Sequence, residues 1–168
     1  VRPDLLLPFE LHLMAAEAEV DRLCAAAGVP CSEVLALDTE KTLLGRDYMV
    51  VRCIDSLPLC DPAVPAEAKP ALYREVGRLM ARFHRITGPA FGRVYDVTHE
   101  NGCAAWADAL LRELGELREC LLSAHVMEAA ALDEIGAAFA ENRALFAVEK
   151  PALIHTDLWE GNILVRQN

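Results

Sequence analysis

The chain reads Pro151-Ala-Leu-Ile-His-Thr-Asp-Leu-Trp-Glu-Gly-Asn-Ile-Leu-Val165 close to its last residue. Two short apolar segments, Ala152–His155 and Ile163–Val165, flank a polar turn over Thr156–Gly161. Apolar runs bounded by turn-forming residues are typical of buried strands. We therefore predict a strand, a tight loop and a second strand, which would hold the polar side chains of the loop in fixed positions.

Asp157 and Asn162 lie five positions apart on this loop. Phosphoryl transfer needs such a pair, because the acceptor hydroxyl requires a carboxylate to take its proton and the nucleotide requires Mg²⁺ held by oxygen ligands. The pattern His-x-Asp-x-x-x-x-Asn supplies both on one loop. The alternative is that Asp157 and Asn162 only shape the turn, as these residue types often do.

The composition bounds the classes of function. The 168 residues are 54% apolar and 25% charged, with a formal net charge of -10, which predicts a globular protein with its own core. Net negative charge argues against a nucleic-acid partner and suits a cationic substrate, although acidity also simply favours solubility. We find no apolar stretch long enough to cross a bilayer and no secretory signal, and we predict no membrane partner.

The six cysteines are scattered, with no Cys-x-x-Cys pair and no nearby histidine cluster. This spacing predicts reduced, mostly buried thiols in a cytoplasmic protein rather than disulfides or a zinc site. The residues are Cys24, Cys31, Cys53, Cys60, Cys103 and Cys120.

Hydrophobic periodicity predicts a helix over Phe9–Ala27, strands at Val34–Leu37 and Asp47–Ile54, a loop over Asp55–Pro65 and a helical block from Pro70 to Phe146. Three apolar stripes in the helical block recur at helical spacing, and we expect them to form core rather than binding faces. They are Leu72, Val76, Leu79, Met80 and Phe83; Trp106, Leu110, Leu114, Leu117 and Leu121; and Leu132, Ile135, Phe139 and Phe146.

The segment Pro151–Val165 resembles the catalytic loop of the aminoglycoside phosphotransferase family, whose relatives include fructosamine, choline, homoserine and methylthioribose kinases. Glu17–Pro30 resembles the N-lobe helix of the family, and Tyr48–Leu59 resembles its last N-lobe strand and hinge. Gly77–His84, with Phe91-Gly92 after it, resembles the first long C-lobe helix. These matches follow the order of the family and cover most of the chain, although the last three are individually weak.

The resemblance implies an α+β, protein-kinase-like two-lobe fold that is incomplete at both ends. Residues 1–54 would form a partial N-lobe of sheet and helix that ends in the hinge. Residues 55–168 would form a partial, mostly helical C-lobe that ends just after the catalytic loop.

The resemblance also implies the role of each matching residue. Asp157 would be the catalytic base, Asn162 would bind Mg²⁺, and His155 would brace the loop through hydrogen bonds. Glu17 would pair with the lysine that holds the nucleotide phosphates, and Glu19 is the competing candidate.

The backbone of Arg52, Cys53 and Ile54 would bind the adenine of ATP as the hinge. Trp159 inside the loop is open to two interpretations, contact with substrate or packing against the loop. The predicted activity is an ATP- and Mg²⁺-dependent phosphotransferase, that is, a kinase acting on a hydroxyl of a small molecule, aminoglycoside-like or another amino or sugar alcohol.

Two family features have no counterpart in the chain: the strand lysine, which residues 1–16 do not contain, and the metal-binding aspartate that follows the catalytic loop. We therefore expect the 168-residue chain itself to have little or no activity and to self-associate through its truncated edges. The alternatives are an inactive remnant that serves as a binding module, and an unrelated helical interaction protein with a chance motif.

Overall fold

The computed structural model describes residues 6–166, which form a mixed α+β structure. The helices are α1 (Leu13–Ala26), α2 (Lys69–Phe83), α3 (Val94–Thr98), α4 (Trp106–Ser123) and α5 (Ala129–Glu141). The strands are β1 (Val34–Asp38), β2 (Tyr48–Val51), β3 (Ser56–Pro58) and β4 (Leu164–Arg166), and 3-10 turns cover Pro8–Glu10, Arg143–Phe146 and Glu160–Asn162. The predicted α+β class is confirmed.

The predicted helices are present, with small changes at their ends. The first begins at Leu13 rather than Phe9, because Pro8–Glu10 forms a 3-10 turn instead of the first helical turn. The predicted helical block contains α2 to α5. Within its three apolar stripes, Phe83 and Leu132 are buried and the other members are half-buried, which agrees with faces that pack against other elements.

Strands β1 and β2 pair antiparallel, from Val34 opposite Val51 to Asp38 opposite Tyr48. Both lie within or next to the predicted segments, although the second strand is shorter than predicted. One carboxylate oxygen of the buried Asp38 accepts hydrogen bonds from the Thr42 N–H and hydroxyl, and these bonds order the start of the connection between the strands.

The prediction of a loop over Asp55–Pro65 is wrong in its first part, because Ser56–Pro58 forms β3 and pairs antiparallel with β4. The partner strand lies more than a hundred positions later in the sequence, and local periodicity carries no signal for such a pairing. Pro58 lacks an N–H donor, and it is tolerated because β3 belongs to a two-stranded sheet and is therefore an edge strand.

The two strands predicted around the polar loop have different outcomes. The second is confirmed with a shift of one residue, as β4. The first is wrong as an extended strand, since only Ala152 forms an isolated antiparallel bridge, with Thr87. A single bridge still fixes the backbone at the entry to the loop.

The described residues group into two compact units. The first unit contains residues 6–17 and 88–151, and the second unit contains residues 18–87 and 152–166. The predicted lobes are two continuous segments that meet between residues 54 and 55, whereas each unit combines two separate segments of the chain. The lobe boundary stays a prediction.

The thiols are less buried than predicted. Cys24 is buried, Cys53 and Cys60 are exposed, and the other three are half-buried. All six are free thiols. Burial is the main reason that the pKa of Cys24 is raised to about 11, so this thiol is protonated at neutral pH.

Leu59 is the best-buried side chain of the second unit, with no exposed surface. We expect Leu59→Ala to lower the free energy of unfolding by about 2–5 kcal/mol, because it deletes buried methyl groups and leaves a cavity. Urea denaturation measures the change. The matched control is Leu43→Ala, whose side chain is 76% exposed and whose loss we expect to change the stability by less than about 0.5 kcal/mol. Equal effects from the two variants would contradict the buried position of Leu59.

Candidate active site

The predicted catalytic loop, residues 155–162, is held at both ends by backbone hydrogen bonds within the second unit. Before the loop, the Leu153 N–H donates to the Ile86 carbonyl at 2.8 Å. After the loop, the Leu59 N–H donates to the Ile163 carbonyl at 2.8 Å, and the pairing of β3 with β4 continues from there. The loop therefore spans a fixed distance between two points of ordered structure.

Asp157 and Asn162 are in direct contact. The Asn162 side-chain amide donates to the Asp157 Oδ2 at 2.8 Å and to the Asp157 backbone carbonyl at 2.9 Å. Both side chains are exposed. Within residues 6–166, no hydrogen bond or ion pair engages the Oδ1 atom of either residue. The contact therefore orients both side chains and leaves one oxygen of each available to a ligand.

Thr156 has a backbone φ of 59°, which is uncommon for a β-branched residue. The Asp157 N–H donates to the His155 carbonyl at 2.7 Å, the hydrogen-bond pattern of a γ-turn centred on Thr156. A conformation of this kind costs roughly 1–3 kcal/mol and persists only where the surrounding structure enforces it. Such strain is concentrated at functional sites, and here it lies next to Asp157 in the sequence.

His155 packs against the end of α2. Its ring lies 6.3 Å from the buried Phe83 ring, with the planes inclined at 47°. Its backbone carbonyl accepts from the Thr156 hydroxyl at 2.7 Å as well as from the Asp157 N–H. The bracing role predicted for His155 stays a prediction, and the structure adds the aromatic contact to it.

Glu160 joins the loop to the beginning of α2. The Lys69 ammonium lies 3.3 Å from the Glu160 Oε2, and the Tyr73 hydroxyl donates to the Oε1. The hydrogen bond from Tyr73, followed by that from Lys69, lowers the pKa of Glu160. The same bond to the carboxylate raises the pKa of Tyr73. At neutral pH, the proton of this pair therefore stays on Tyr73 and Glu160 is a carboxylate.

Trp159 packs across Gly161 within the loop. A Cβ built on Gly161 would lie 2.3 Å from the Trp159 ring, so no larger residue fits without moving the ring. The Trp159 side chain is nevertheless 57% exposed. The packing interpretation of Trp159 accounts for one part of its surface, and the rest faces solvent.

The predicted hinge residues form the irregular segment between β2 and β3. The Arg52 N–H donates to the Glu33 carbonyl at 2.8 Å, and the Ser56 hydroxyl donates to the Ile54 carbonyl at 3.0 Å. In the part of the chain that the structure describes, the Cys53 N–H, the Cys53 carbonyl and the Ile54 N–H make no hydrogen bond. These three backbone groups are therefore available to a ligand.

Glu17 and Glu19 both lie on α1. Glu19 is paired with Arg22, one turn further on, through hydrogen bonds of 2.6 and 2.8 Å. The Glu17 side chain is exposed. The lysine pairing predicted for Glu17 stays a prediction.

The Asp157–Asn162 pair fits a magnesium ion better than a metal of the zinc type. Among the described residues, no group of three or more His, Cys, Asp or Glu side chains is placed to hold a metal ion. Mg²⁺ is usually bound by one or two protein oxygens together with phosphates and water. The available Oδ1 atom of Asn162 is an oxygen of this kind, and Asp157 holds this residue in place.

The first unit contains a separate cavity of about 400 Å³ between α4 and α5, which none of the predicted site residues lines. Its lining residues are Leu114, Gly115, Arg118, Leu132, Asp133 and Gly136.

The sequence interpretation gave no role to Lys69, Tyr73, Thr156, Glu160 or Gly161. Lys69 and Tyr73 are four positions apart and share a face of α2, but the predicted helical block began at Pro70 and left Lys69 out. The sequence did not indicate that these two side chains bind Glu160, because they lie 91 and 87 positions away from it along the chain. The positive φ of Thr156 could not be predicted from the residue type, because threonine rarely adopts this conformation.

We expect Gly161→Ala to displace the Trp159 ring and to increase its quenching by acrylamide, since the added methyl group takes the place of ring atoms. The measurement uses a Trp106→Phe background, in which Trp159 is the remaining tryptophan of the chain. The stability changes by only about 0.5 kcal/mol, because the ring can move into solvent. Gly77→Ala on α2 is the control, since its new Cβ meets no atom within 4 Å. Unchanged quenching in Gly161→Ala would contradict the packing of Trp159 on Gly161.

One of the comparisons with known proteins identifies a family for the chain. No curated protein and no solved structure matches the chain. The family model described as "Phosphotransferase enzyme family" matches residues 9–168, which include the loop and nearly all of the chain. The chain therefore belongs to the aminoglycoside phosphotransferase (APH) family of phosphotransferase enzymes.

Proposed function

We propose that the protein transfers the γ-phosphoryl group of ATP to a hydroxyl of a small molecule, in a reaction that depends on Mg²⁺. The observation that carries the proposal is the 2.8 Å hydrogen bond between Asn162 and Asp157 on a loop held at both ends. It places a carboxylate oxygen and an amide oxygen side by side, available to ligands. Membership of the family supports phosphotransfer as the reaction class.

Asp157 orients the acceptor and takes its proton. As the acceptor oxygen bonds to the γ-phosphorus, the bond from the γ-phosphorus to the oxygen of ADP breaks, and the hydroxyl proton passes to the Asp157 carboxylate. Asn162 holds Asp157 through its amide N–H and offers its Oδ1 to Mg²⁺. When bound, Mg²⁺ neutralises charge on the phosphates.

The proposed nucleotide site uses the hinge. The unbonded backbone groups of Cys53 and Ile54 would pair with adenine, next to the backbone of Arg52. The proposal includes a two-lobed, kinase-like arrangement with its boundary after Ile54. It also includes pairing of Glu17 with the phosphate-binding lysine.

The proposed acceptor is an aminoglycoside-like compound or another amino or sugar alcohol. The formal net charge of -10 supports a cationic acceptor, because a negative protein raises the local concentration of cations. We propose that the reaction occurs in the cytoplasm, where Mg²⁺-bound ATP is present and free thiols are stable. The described residues include no helix that is long and apolar enough to span a membrane.

The family match excludes one of the two alternatives and leaves the other open. An unrelated helical protein with a chance motif is excluded, because the family model covers the chain from residue 9 to residue 168. An inactive binding module of the same family remains the competing proposal, and turnover separates it from an enzyme.

We expect Asp157→Asn to lower kcat by about 100- to 10,000-fold, because the amide cannot accept the hydroxyl proton. The measurement is acceptor-dependent ADP release by the protein expressed from the complete open reading frame that contains this chain. Asp133→Asn is the matched control. It makes the same chemical change at a side chain that is 68% exposed and paired with Arg118, so we expect kcat to stay within twofold of wild type.

Nucleotide binding without ADP release, across a panel of amino and sugar alcohols, would support the binding module instead. Full activity in Asp157→Asn would contradict the role of Asp157. ADP release by the 168-residue chain alone, abolished by Asp157→Asn, would show that the chain is active without further segments.

We also propose that the 168-residue chain self-associates. The β1–β2 sheet has two strands, and its connection carries Leu43 and Leu44 with 76% and 62% of their surface exposed. Unpaired strand edges and exposed apolar side chains both favour association. Sedimentation velocity should show larger species as the concentration rises, and fewer of them for the double variant Leu43→Ser, Leu44→Ser. A monomer at every concentration would contradict this proposal.

A further inference from the structure

Three side chains connect α2 with the catalytic loop, and we call them the Glu160 cluster: Lys69, Tyr73 and Glu160. Lys69 and Tyr73 are separated by four positions, so they lie on one face of α2, one turn apart. Each binds a different oxygen of the same carboxylate. Glu160 is therefore held at two points, which fixes its position better than one contact would.

Glu160 is the first residue of the 3-10 turn that ends at Asn162. The turn is closed by a hydrogen bond of 2.9 Å from the Asn162 N–H to the Trp159 carbonyl. The side chain of Asn162 then binds Asp157. A continuous series of contacts thus runs from α2 through Glu160 and the turn to the proposed base and the proposed Mg²⁺ ligand.

The other end of α2 contacts the beginning of the same loop, because Phe83 packs on His155. Lys69 and Phe83 are the first and last residues of the helix. A helix of this length is a stiff element of about 20 Å. The loop is consequently held by one rigid helix at both of its ends, by ring packing at His155 and by polar contacts at Glu160.

The cluster contributes more to geometry than to stability. The Lys69 and Glu160 side chains are 27% and 36% exposed, and ion pairs this accessible to water stabilise a fold by at most about 1 kcal/mol. Catalytic geometry is more sensitive, since a displacement of about 1 Å can lower a rate about 100-fold. Loss of the cluster should therefore affect the order of the loop and the rate far more than the unfolding transition.

We infer that Lys69 and Tyr73 are positioning residues, which hold Glu160 and thereby fix the turn that orients Asp157 and Asn162. This inference rests on the proposed phosphotransfer function. Neither residue touches the reacting atoms, and both act through Glu160.

The first test measures the order of the loop without any substrate. In the Trp106→Phe background of the 168-residue chain, Trp159 reports on the residue next to Glu160. We expect Tyr73→Phe, which removes only the hydroxyl, to lower the fluorescence anisotropy of Trp159 and to increase its quenching. Lys69→Met should act in the same direction, and Lys69→Arg should restore the wild-type signal because it keeps the charge.

Two control variants match these changes. Tyr95→Phe removes a tyrosine hydroxyl in the first unit, and Arg78→Met removes a cation of α2 whose partner is Glu75 on the same helix. Both should leave the Trp159 signal unchanged, and circular dichroism should show the same helix content for every variant. An unchanged Trp159 signal in Tyr73→Phe and in Lys69→Met would overturn the inference.

The second test measures the rate in the protein from the complete open reading frame. We expect Tyr73→Phe and Glu160→Gln each to lower kcat on the order of 10- to 100-fold while the KM for ATP changes little. Because the two side chains act through one contact, the double variant should be hardly slower than either single variant. Additive losses, or a wild-type kcat in Tyr73→Phe, would overturn the inference.

The two tests separate the inference from the function on which it rests. Absence of phosphotransfer by the wild-type protein contradicts the proposed function, and the Trp159 signal still decides whether the cluster orders the loop. Phosphotransfer by the wild type with an unaffected Tyr73→Phe variant contradicts the inference and leaves the proposed function in place.

Discussion

The pairing of β3 with β4 is the constraint on which the site depends. It joins Ser56–Pro58 to Leu164–Arg166 and continues into the hydrogen bond from the Leu59 N–H to the Ile163 carbonyl. Since β3 follows the predicted hinge and β4 follows the catalytic loop, this short sheet brings the two within one unit. Leu59, with no exposed surface, fixes the sheet to the core.

The loop itself is an exposed, strained segment held by its surroundings. The positive φ of Thr156 has a free-energy cost, and the ordered residues before and after the loop enforce it. The Asn162 amide donates to Asp157, and their contact leaves one oxygen of each available. Helix α2 supports both ends of the loop, through Phe83 and through the Glu160 cluster. The candidate site thus lies on a loop that regular elements hold in place, which is a common arrangement in enzymes.

The sequence predicted the helices more accurately than the strands. The apolar stripes of α2, α4 and α5 arise from local periodicity, and a helix forms its hydrogen bonds within one segment. A strand needs a partner, and the partner of β3 lies far along the chain. The predicted strand at Ala152–His155 was too long for the same reason, since apolar residues there find only a single bridge to Thr87.

The sequence by itself determined the family, the pair Asp157 and Asn162, and the helical block, because motif spacing and hydrophobic period are local properties. Only the tertiary structure decided that these two side chains touch, that Thr156 is strained, and that Glu160 binds Lys69 and Tyr73. The physical reason is that the Glu160 contacts join residues 87 and 91 positions apart, and that the loop carrying the other two features is attached at both ends to residues far along the chain. Distances in space between such residues are set by the sum of many weak contacts and not by any one residue type.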